Sequence, residues 1–560
     1  MGQIRLWSKF GYGAKGLIPT PRMPHSPDRA TGVRVNRLLS SSRLVLIVAF
    51  ALAFCGLSSA LHAQDLAGYW EVRTPNPDGD GTFRQTFFHI EQSGETISGE
   101  LIRRPNGIPI NGTFKDGALH FVTVPPTPPP PPPGQPARRQ MPVFTYDGTL
   151  EGGKLLLTTH GRTGEIHSVG EKVTKEATEP PARLPLPALK DVPDNGLART
   201  PPMGWNSWNK FAGRVDDAAV RGMADAMVSS GMRDAGYVYI NIDDTWELGR
   251  DANGNITSNK KFPDMKALAD YVHSKGLKIG IYSSPGPKTC AGYEGSYGHV
   301  LQDAKTYAAW GIDYLKYDLC SDLEIYKDDA PTLQAIYQEM GEALEATHRP
   351  IIYSLCEYGR AEPWTGWGEK TSGNLWRTTG DISDRWQSMD RIGFSQIKIA
   401  SYAKPGHWND PDMLEIGNGG MTADEYRTHM SLWSLLAAPL IAGNDLRSMT
   451  DETKSILENR DVIAIDQDPN YKPVASVSSN NGLEVLMRPL SDGSVAVGLF
   501  NRTETPAEIS FPRSSLPASF AGKKLELRDL WKHEPATMKG DSFTVTVPTH
   551  GVVLVKFTAH

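Results

Sequence analysis

The feature that most constrains the fold is a regular alternation of short apolar segments and amphipathic segments between residues 199 and 465. The apolar segments are near-continuous runs, as strands buried on both faces of a parallel sheet should be. They include YVYINID (237–243), LKIGIYS (277–283), IDYLKYD (312–318) and PIIYSLCE (350–357). The amphipathic segments carry apolar residues three and four apart, as Leu333, Ile336 and Met340 do, which is the helical period.

About eight such units within ~270 residues have the length and rhythm of a (β/α)8 barrel. A doubly wound sheet is the alternative, and it predicts a Gly-rich phosphate-binding turn after the first strand. The segment MGWNSW (203–208) is not such a turn. We therefore predict an α/β protein whose residues 199–465 form a (β/α)8 barrel.

Both flanks of this barrel are predicted to be antiparallel β-structure. Residues 65–175 alternate polar and apolar positions between Gly-rich turns, with a Pro-rich exposed loop inside, which is typical of a small β-sandwich or barrel. A carbohydrate-binding role and a spacer or stability role are both open for this region. A Pro-rich linker (176–198) follows it. Residues 466–560 again alternate and predict a β-sandwich that packs on the barrel.

The first 63 residues carry an export pattern. Several arginines precede the apolar run LVLIVAFALAFCGL (44–57), and small residues lead to Ala63. A run of about 14 residues is short for a membrane span and suits the core of a signal peptide. We expect a leader and signal peptide over residues 1–63, cleavage near Ala63, and a secreted or periplasmic protein with no membrane partner afterwards. An uncleaved anchor is the alternative.

Charge and cysteine usage exclude several classes of function. The net charge of −6 gives no basic face for nucleic acid. Without a Cys-x-x-Cys pattern or a Cys/His cluster, a structural zinc site is not expected, and we predict neither a metal nor a cofactor. Beyond the leader, Cys290, Cys320 and Cys356 remain, so one pair can form a disulfide and one thiol is left over.

The candidate active site lies where the predicted strands end, because barrels of this kind carry their chemistry at the carboxyl ends of the strands. One acidic residue at such a place is usually a helix cap. Five acidic strand ends on one rim are hard to explain by capping alone. The residues noted at these ends are Trp205, Trp208, Asp243, Asp244, Tyr282, Lys316, Asp318, Cys356, Glu357, Arg377, Asp381, Trp408, Asp410 and Asp412.

These residue types favour sugar chemistry. Few histidines and no Gly-x-Ser-x-Gly motif argue against a metallohydrolase and a serine acyltransferase. Carboxylate pairs accept hydrogen bonds from sugar hydroxyls, and an indole face covers the apolar side of the ring. Hydrolysis of a glycosidic bond needs two carboxyl groups. Lys316 lies on the same strand face as Asp318, where it is expected to lower the pKa of that carboxyl.

A series of motifs in this order resembles glycoside hydrolase family 27, the α-galactosidases of clan D. The resemblance runs from about Leu197 to the C-terminus and does not extend to residues 65–175. Its motifs are MGWNSW (203–208), NIDDTW (241–246), GLKIGIYS (276–283), TCAGYEGS (289–296), DYLKYDLC (313–320), WRTTGDI (376–382) and HWNDPDMLEIGNGGMT (407–422).

The resemblance implies a retaining mechanism in which Asp318 is the nucleophile and Asp381 the general acid/base, with carboxyl groups about 5–5.5 Å apart. It implies that Asp243 and Asp244 bind the 4- and 6-hydroxyls of galactose. It also implies a disulfide between Cys290 and Cys320. The other implied site residues are Trp208 as a pocket wall, Tyr282, Lys316, Arg377 and Asp412 as contacts to the sugar, and Cys356 as a free pocket thiol.

The sequence departs from the family pattern at a few positions. Tyr358 replaces a tryptophan in the CEYG segment, which faces carbon 2 of the sugar, and Thr245 replaces a cysteine of some animal members. The pair Asp243-Asp244 speaks against the arabinopyranosidase branch, where the second acid is altered. Cys356-Glu357, in place of small residues, speaks against the N-acetylgalactosaminidase branch.

We therefore expect a secreted, exo-acting α-galactosidase whose partner is a carbohydrate that ends in α-galactose. The alternatives are an α-N-acetylgalactosaminidase, a β-L-arabinopyranosidase or an isomalto-dextranase of the same family. A galactose-binding protein without catalysis is the alternative from another class, and the presence of both Asp318 and Asp381 argues against it.

Overall fold

The computed structural model describes residues 65–560 except 77–78, 105, 128–140 and 162–163. The predicted leader and signal peptide and much of the Pro-rich loop lie outside the described residues. Residues from 65 onward belong to one compact unit. Within the described ranges, no helix combines the length and the apolar character needed to cross a membrane.

The N-terminal region is a closed antiparallel barrel, which decides between the two architectures that its sequence allowed. Each strand pairs with the next, and the last strand pairs back with the first, with Tyr69 opposite Val173. Trp70, Phe88 and Phe121 point inward and are buried, so side chains fill the interior, as expected for eight strands. The strands are β1 (Gly68–Pro75), β2 (Phe83–Ser93), β3 (Thr96–Ile102), β4 (Ile108–Lys115), β5 (Ala118–Thr123), β6 (Thr145–Glu151), β7 (Lys154–Gly161) and β8 (Gly164–Val173).

The predicted (β/α)8 barrel is confirmed. Its eight strands are parallel, in the order β17-β16-β15-β14-β13-β10-β9-β18. The ring closes where the Leu414 N–H, just after β17, donates to the carbonyl of Ile441 in β18 at 2.8 Å. The hairpin β11–β12 is inserted after β10. The bounds are β9 (Met203–Asn206), β10 (Tyr239–Asn241), β11 (Glu247–Arg250), β12 (Ile256–Ser258), β13 (Lys278–Ser283), β14 (Tyr314–Asp318), β15 (Ile352–Cys356), β16 (Leu375–Arg377), β17 (Trp408–Asp410) and β18 (Leu440–Ala442).

Helices connect these strands, and local sequence explains where several of them begin. Asp216, Asp264 and Asp329 each accept a backbone N–H at a helix start, and Thr422 with Glu425 forms a capping box. The helices are α1 (Trp208–Phe211), α2 (Asp217–Ser230), α3 (Met232–Ala235), α4 (Met265–Ser274), α5 (Val300–Trp310), α6 (Ala330–Glu345), α7 (Trp367–Lys370), α8 (Trp386–Ser395), α9 (Ala423–Leu436), α10 (Asp451–Leu457) and α11 (Arg460–Asp466).

The C-terminal region is antiparallel and packs on α9. The buried Arg488 donates to the carbonyl of Ser434 at 2.8 Å, and the Thr428 hydroxyl donates to the carbonyl of His550 at 2.7 Å. The six-stranded sheet has the order β19-β20-β21-β26-β23-β24, and β22 pairs with β25. The bounds are β19 (Ala475–Asn480), β20 (Leu483–Pro489), β21 (Val495–Asn501), β22 (Ala507–Pro512), β23 (Leu525–Asp529), β24 (Glu534–Ala536), β25 (Ser542–Val547) and β26 (Val552–Ala559).

Candidate active site

A cavity of about 550 Å³ opens at the carboxyl ends of the parallel strands. The sequence predicted the active site at this edge, where the carboxyl ends of all eight strands converge. The predicted site residues that line it are Trp208, Asp243, Asp244, Tyr282, Cys290, Lys316, Asp318, Tyr358, Arg377, Asp381 and Asp412.

Asp318 ends β14 and is 5% exposed. The Tyr282 hydroxyl donates to its Oδ2 at 2.9 Å, whereas its Oδ1 is buried and has no hydrogen-bond partner among the described residues. Burial raises the pKa of Asp318, and the positive charge of Lys316 acts in the opposite direction. The expected effect of Lys316 is therefore present, but burial outweighs it. Asp318 is thus a buried carboxyl at the cavity wall, and Tyr282, Tyr358 and Lys316 all favour its charged form.

Asp243 is held by donors from three sides. The Lys316 ammonium and the Asn206 amide both donate to its Oδ2 at 2.8 Å. Its own backbone N–H donates to the Ser207 hydroxyl at 2.9 Å, and the Asp244 N–H donates to its Oδ1 at 2.9 Å. The carboxylate is thus fixed in place before any ligand arrives.

Asp244 is held mainly by backbone. The Thr245 N–H donates to its Oδ1 at 2.6 Å, and the Ala291 N–H donates to its Oδ2 at 2.8 Å. Burial raises the pKa of Asp244 to about 7, and the neighbouring charge of Asp243 adds to the effect. Thr245 has a φ of +85°, which a β-branched residue rarely adopts, and such strain persists only where the surroundings impose it.

Arg377 connects two carboxylates on the opposite wall. Its Nη2 lies 3.0 Å from Oδ2 of Asp412 and 3.1 Å from Oδ1 of Asp381. The Ile382 N–H also donates to Asp412 at 2.9 Å, which fixes that side chain. The side chain of Asp381 is 71% exposed. The site therefore has a buried carboxyl, Asp318, and a solvent-facing one, Asp381.

The expected disulfide between Cys290 and Cys320 is present and joins the loops that follow β13 and β14. Cys356 is free and buried, and burial raises the pKa of its thiol. It does not line the main cavity. Instead, it accepts a hydrogen bond from Arg377 at 3.5 Å and borders a separate small cavity of about 30 Å³ with Lys316 and Asp412.

Six polar residues that sequence reasoning missed line the same cavity: Asn209, Lys210, Ser383, Asp384, Glu415 and Asn418. Asn209 and Asn418 donate to the two oxygens of Glu415 at 2.7 and 2.6 Å, and burial raises the pKa of Glu415 to about 7. Asp384 and Glu415 each lie three residues after a predicted site residue. Extending the search through those two loops would have found them.

Two family models match the chain. Residues 200–468 match the model described as alpha galactosidase A, and residues 480–557 match the alpha galactosidase C-terminal beta sandwich domain. Neither match reaches the N-terminal barrel.

Individual relatives agree with these matches. An alpha-galactosidase of Cyamopsis tetragonoloba is 48% identical over 369 residues, which are 65% of this chain and 88% of the relative. Alpha-galactosidase A of Cellvibrio japonicus is 46% identical over 384 residues, 65% of this chain and 93% of the relative. The crystal structure of alpha-galactosidase I from Mortierella vinacea has a TM-score of 0.62 and 37% identity, covering 65% of this chain and 98% of that one. The chain therefore belongs to the α-galactosidase family, glycoside hydrolase family 27, and is a glycoside hydrolase.

Proposed function

We propose that the protein is a secreted, retaining, exo-acting α-galactosidase that removes terminal α-D-galactosyl residues from oligosaccharides or galactomannans. The observation that carries this proposal is the contrast between two carboxyl groups on one cavity. Asp318 is buried, and Asp381 is exposed. A nucleophile that attacks the sugar from within the pocket and an acid that meets the leaving group at its mouth need these two environments.

In the first step, the Asp318 carboxylate attacks the anomeric carbon and the glycosidic C–O bond breaks. Asp381 gives its proton to the departing oxygen, and the galactosyl group is left as an ester on Asp318. In the second step, Asp381 takes a proton from a water molecule, whose oxygen attacks the same carbon. Galactose with retained configuration leaves, and the Asp318 carboxylate is restored.

Ionisable groups around Asp318 suit this role. The Tyr282 hydroxyl donates to the carboxyl, and the nearby Lys316 favours its charged form. Asp381 reaches solvent, so it can exchange protons with water between the two steps. These contacts support the assignment of the nucleophile and the acid/base.

The sugar would be held by Asp243 and Asp244, which accept hydrogen bonds from its 4- and 6-hydroxyls. Both carboxylates are already fixed by protein donors, so their side chains lose little conformational entropy when the sugar binds. Trp208 supplies an indole at the cavity wall.

Secretion is supported by two independent features. The N-terminal sequence has the pattern of a signal peptide, and the Cys290–Cys320 disulfide is typical of oxidising compartments. The substrates of two rival activities differ from an α-galactoside in a single ring substituent. An N-acetylgalactosaminidase needs room at carbon 2, where Tyr358 stands, and an arabinopyranosidase needs no acceptor for a 6-hydroxyl, such as Asp244.

A panel of nitrophenyl glycosides tests the substrate. We expect faster release from the α-galactoside than from the α-N-acetylgalactosaminide or the β-L-arabinopyranoside, and no release by Asp318→Ala. Proton NMR of the first product should show α-galactose, whereas β-galactose would refute retention. Galactose binding without turnover of any glycoside would favour the non-catalytic alternative.

A further inference from the structure

Asp80 belongs to the N-terminal barrel, yet it contacts the barrel that carries the active site. It lies between β1 and β2, and its side chain is 0% exposed. Its Oδ1 accepts hydrogen bonds from the Thr82 N–H at 2.8 Å and the Thr82 hydroxyl at 2.6 Å, which fix residues 80–82 relative to one another. Its Oδ2 accepts the Tyr293 hydroxyl at 2.6 Å and lies 3.7 Å from the Lys261 ammonium. One oxygen therefore orders its own loop, and the other reaches the (β/α)8 barrel.

Lys261 connects Asp80 with the segment that holds Oδ1 of Asp244. Its ammonium donates to the Gly213 carbonyl at 2.7 Å and to the Thr245 hydroxyl at 3.0 Å. Thr245 is the residue with the strained φ of +85°, and its N–H donates to Oδ1 of Asp244. Lys261 thus helps to hold a strained backbone position that orients the carboxylate.

Tyr293 connects Asp80 with the turn that holds Oδ2 of Asp244. Tyr293 ends a tight turn: its N–H donates to the Thr289 hydroxyl at 2.9 Å, and the Thr289 N–H donates to the Tyr293 carbonyl at 3.0 Å. Inside that turn, the Ala291 N–H donates to Oδ2 of Asp244. Each oxygen of Asp244 is therefore held by a backbone donor whose segment is anchored on Asp80.

We propose that Asp80 is a positioning residue for Asp244, and that the N-terminal barrel supports the sugar-binding wall of the active site from outside the cavity. The inference rests on the proposed role of Asp244 as acceptor for the 6-hydroxyl of galactose. A buried carboxylate in contact with an ammonium and a phenol resists displacement, because moving it would leave buried charge uncompensated. The N-terminal barrel therefore does more than act as a spacer.

Asp80→Asn in the full-length chain tests this role. We compare kcat and KM for the nitrophenyl α-galactoside and for its 6-deoxy analogue, which lacks only the hydroxyl assigned to Asp244. We expect kcat/KM for the α-galactoside to fall about tenfold, chiefly through KM, and that for the 6-deoxy analogue to change less than about twofold. Equal losses for both substrates would show a purely structural role and overturn the proposal.

Two further variants sharpen the experiment. Tyr293→Phe removes one hydroxyl and should produce a smaller selective loss; it also tests the proposal if Asp80→Asn does not fold. The matched control is Asp116→Asn, an exposed carboxylate at φ +50° in the β4–β5 turn of the same barrel, where asparagine fits. Asp116→Asn should leave kcat/KM unchanged for both substrates. A loss for the α-galactoside alone in this variant would overturn the proposal.

Asp244→Asn separates this inference from the proposed function. If Asp244→Asn abolishes the preference for the 6-hydroxyl while Asp80→Asn and Tyr293→Phe keep it, the function stands and the positioning role is wrong. If the unmodified enzyme does not discriminate between the two substrates, the proposed role of Asp244 fails, and this inference fails with it.

Discussion

The ammonium of Lys316 lies 2.8 Å from Oδ2 of Asp243, and this contact joins two strands of the barrel that are not neighbours. Lys316 is in β14, two residues before Asp318, and Asp243 follows β10, with β13 between them. The ion pair therefore couples the carboxylate assigned to sugar hydroxyls with the strand that carries the proposed nucleophile.

Lys316→Met should lower kcat/KM by at least about a hundredfold, because it removes one partner of a largely buried charge pair and leaves Asp243 uncompensated. The kcat/KM of Lys316→Arg should lie between those of the unmodified protein and Lys316→Met. Steady-state kinetics on folded variants provide the measurement. The matched control is Lys278→Met, an exposed lysine at the start of the neighbouring strand β13, far from the rim. An unchanged kcat/KM in Lys316→Met would contradict the role of the pair.

The raised pKa of Asp244 predicts a specific dependence of the free energy of unfolding on pH. The folded protein retains the Asp244 proton up to about pH 7, whereas the unfolded chain releases it near about pH 4. Between these values the folded state binds more protons, so the free energy of unfolding falls as pH rises.

Asp244→Asn cannot lose this proton, so it should be more stable than the parent at about pH 8 and much closer to it at about pH 4. We expect a gain of roughly 1–4 kcal/mol at the higher pH, together with a lower kcat/KM for the α-galactoside. Urea unfolding at both pH values gives the two differences. A gain of equal size at both would mean that ionisation of Asp244 is not its cause.

The Cys290–Cys320 disulfide closes a loop with a sequence separation of 30. Replacing both cysteines by serine should lower the free energy of unfolding by about 3–4 kcal/mol, since the unfolded chain regains the entropy of that loop. Because Cys290 lines the cavity, kcat/KM should fall as well. Thermal unfolding with and without reductant gives the measurement, and Cys356→Ala should keep the full effect of the reductant. Identical melting with and without reductant in the parent protein would refute this stabilisation.

The location of the site could be predicted from sequence for a geometric reason. Asp243, Asp318 and Arg377 lie far apart in the chain, but each lies at or just after the end of a strand of one parallel barrel. Parallel strands bring their carboxyl ends to one edge, so a strand-end rule collects such residues without knowledge of their contacts.

Other features depend on contacts that leave no local pattern. Closure of the N-terminal barrel requires β1 to pair with β8, about a hundred residues later, and alternation alone is the same in a sandwich. The Ala291 N–H that holds Asp244 is a backbone group and has no signature in the sequence. Asp80 reads as an ordinary turn residue, because its partners Lys261 and Tyr293 lie in another part of the chain.

Trapping of the covalent intermediate tests the proposed mechanism most directly. A fluorinated galactosyl fluoride forms the glycosyl-enzyme readily but slows its hydrolysis, so the labelled peptide can be identified by mass spectrometry. We predict one sugar per chain, attached to the peptide that contains Asp318, and no labelling of Asp318→Ala. A label on Asp381, or inactivation without any covalent sugar, would contradict the assignment of Asp318 as the nucleophile.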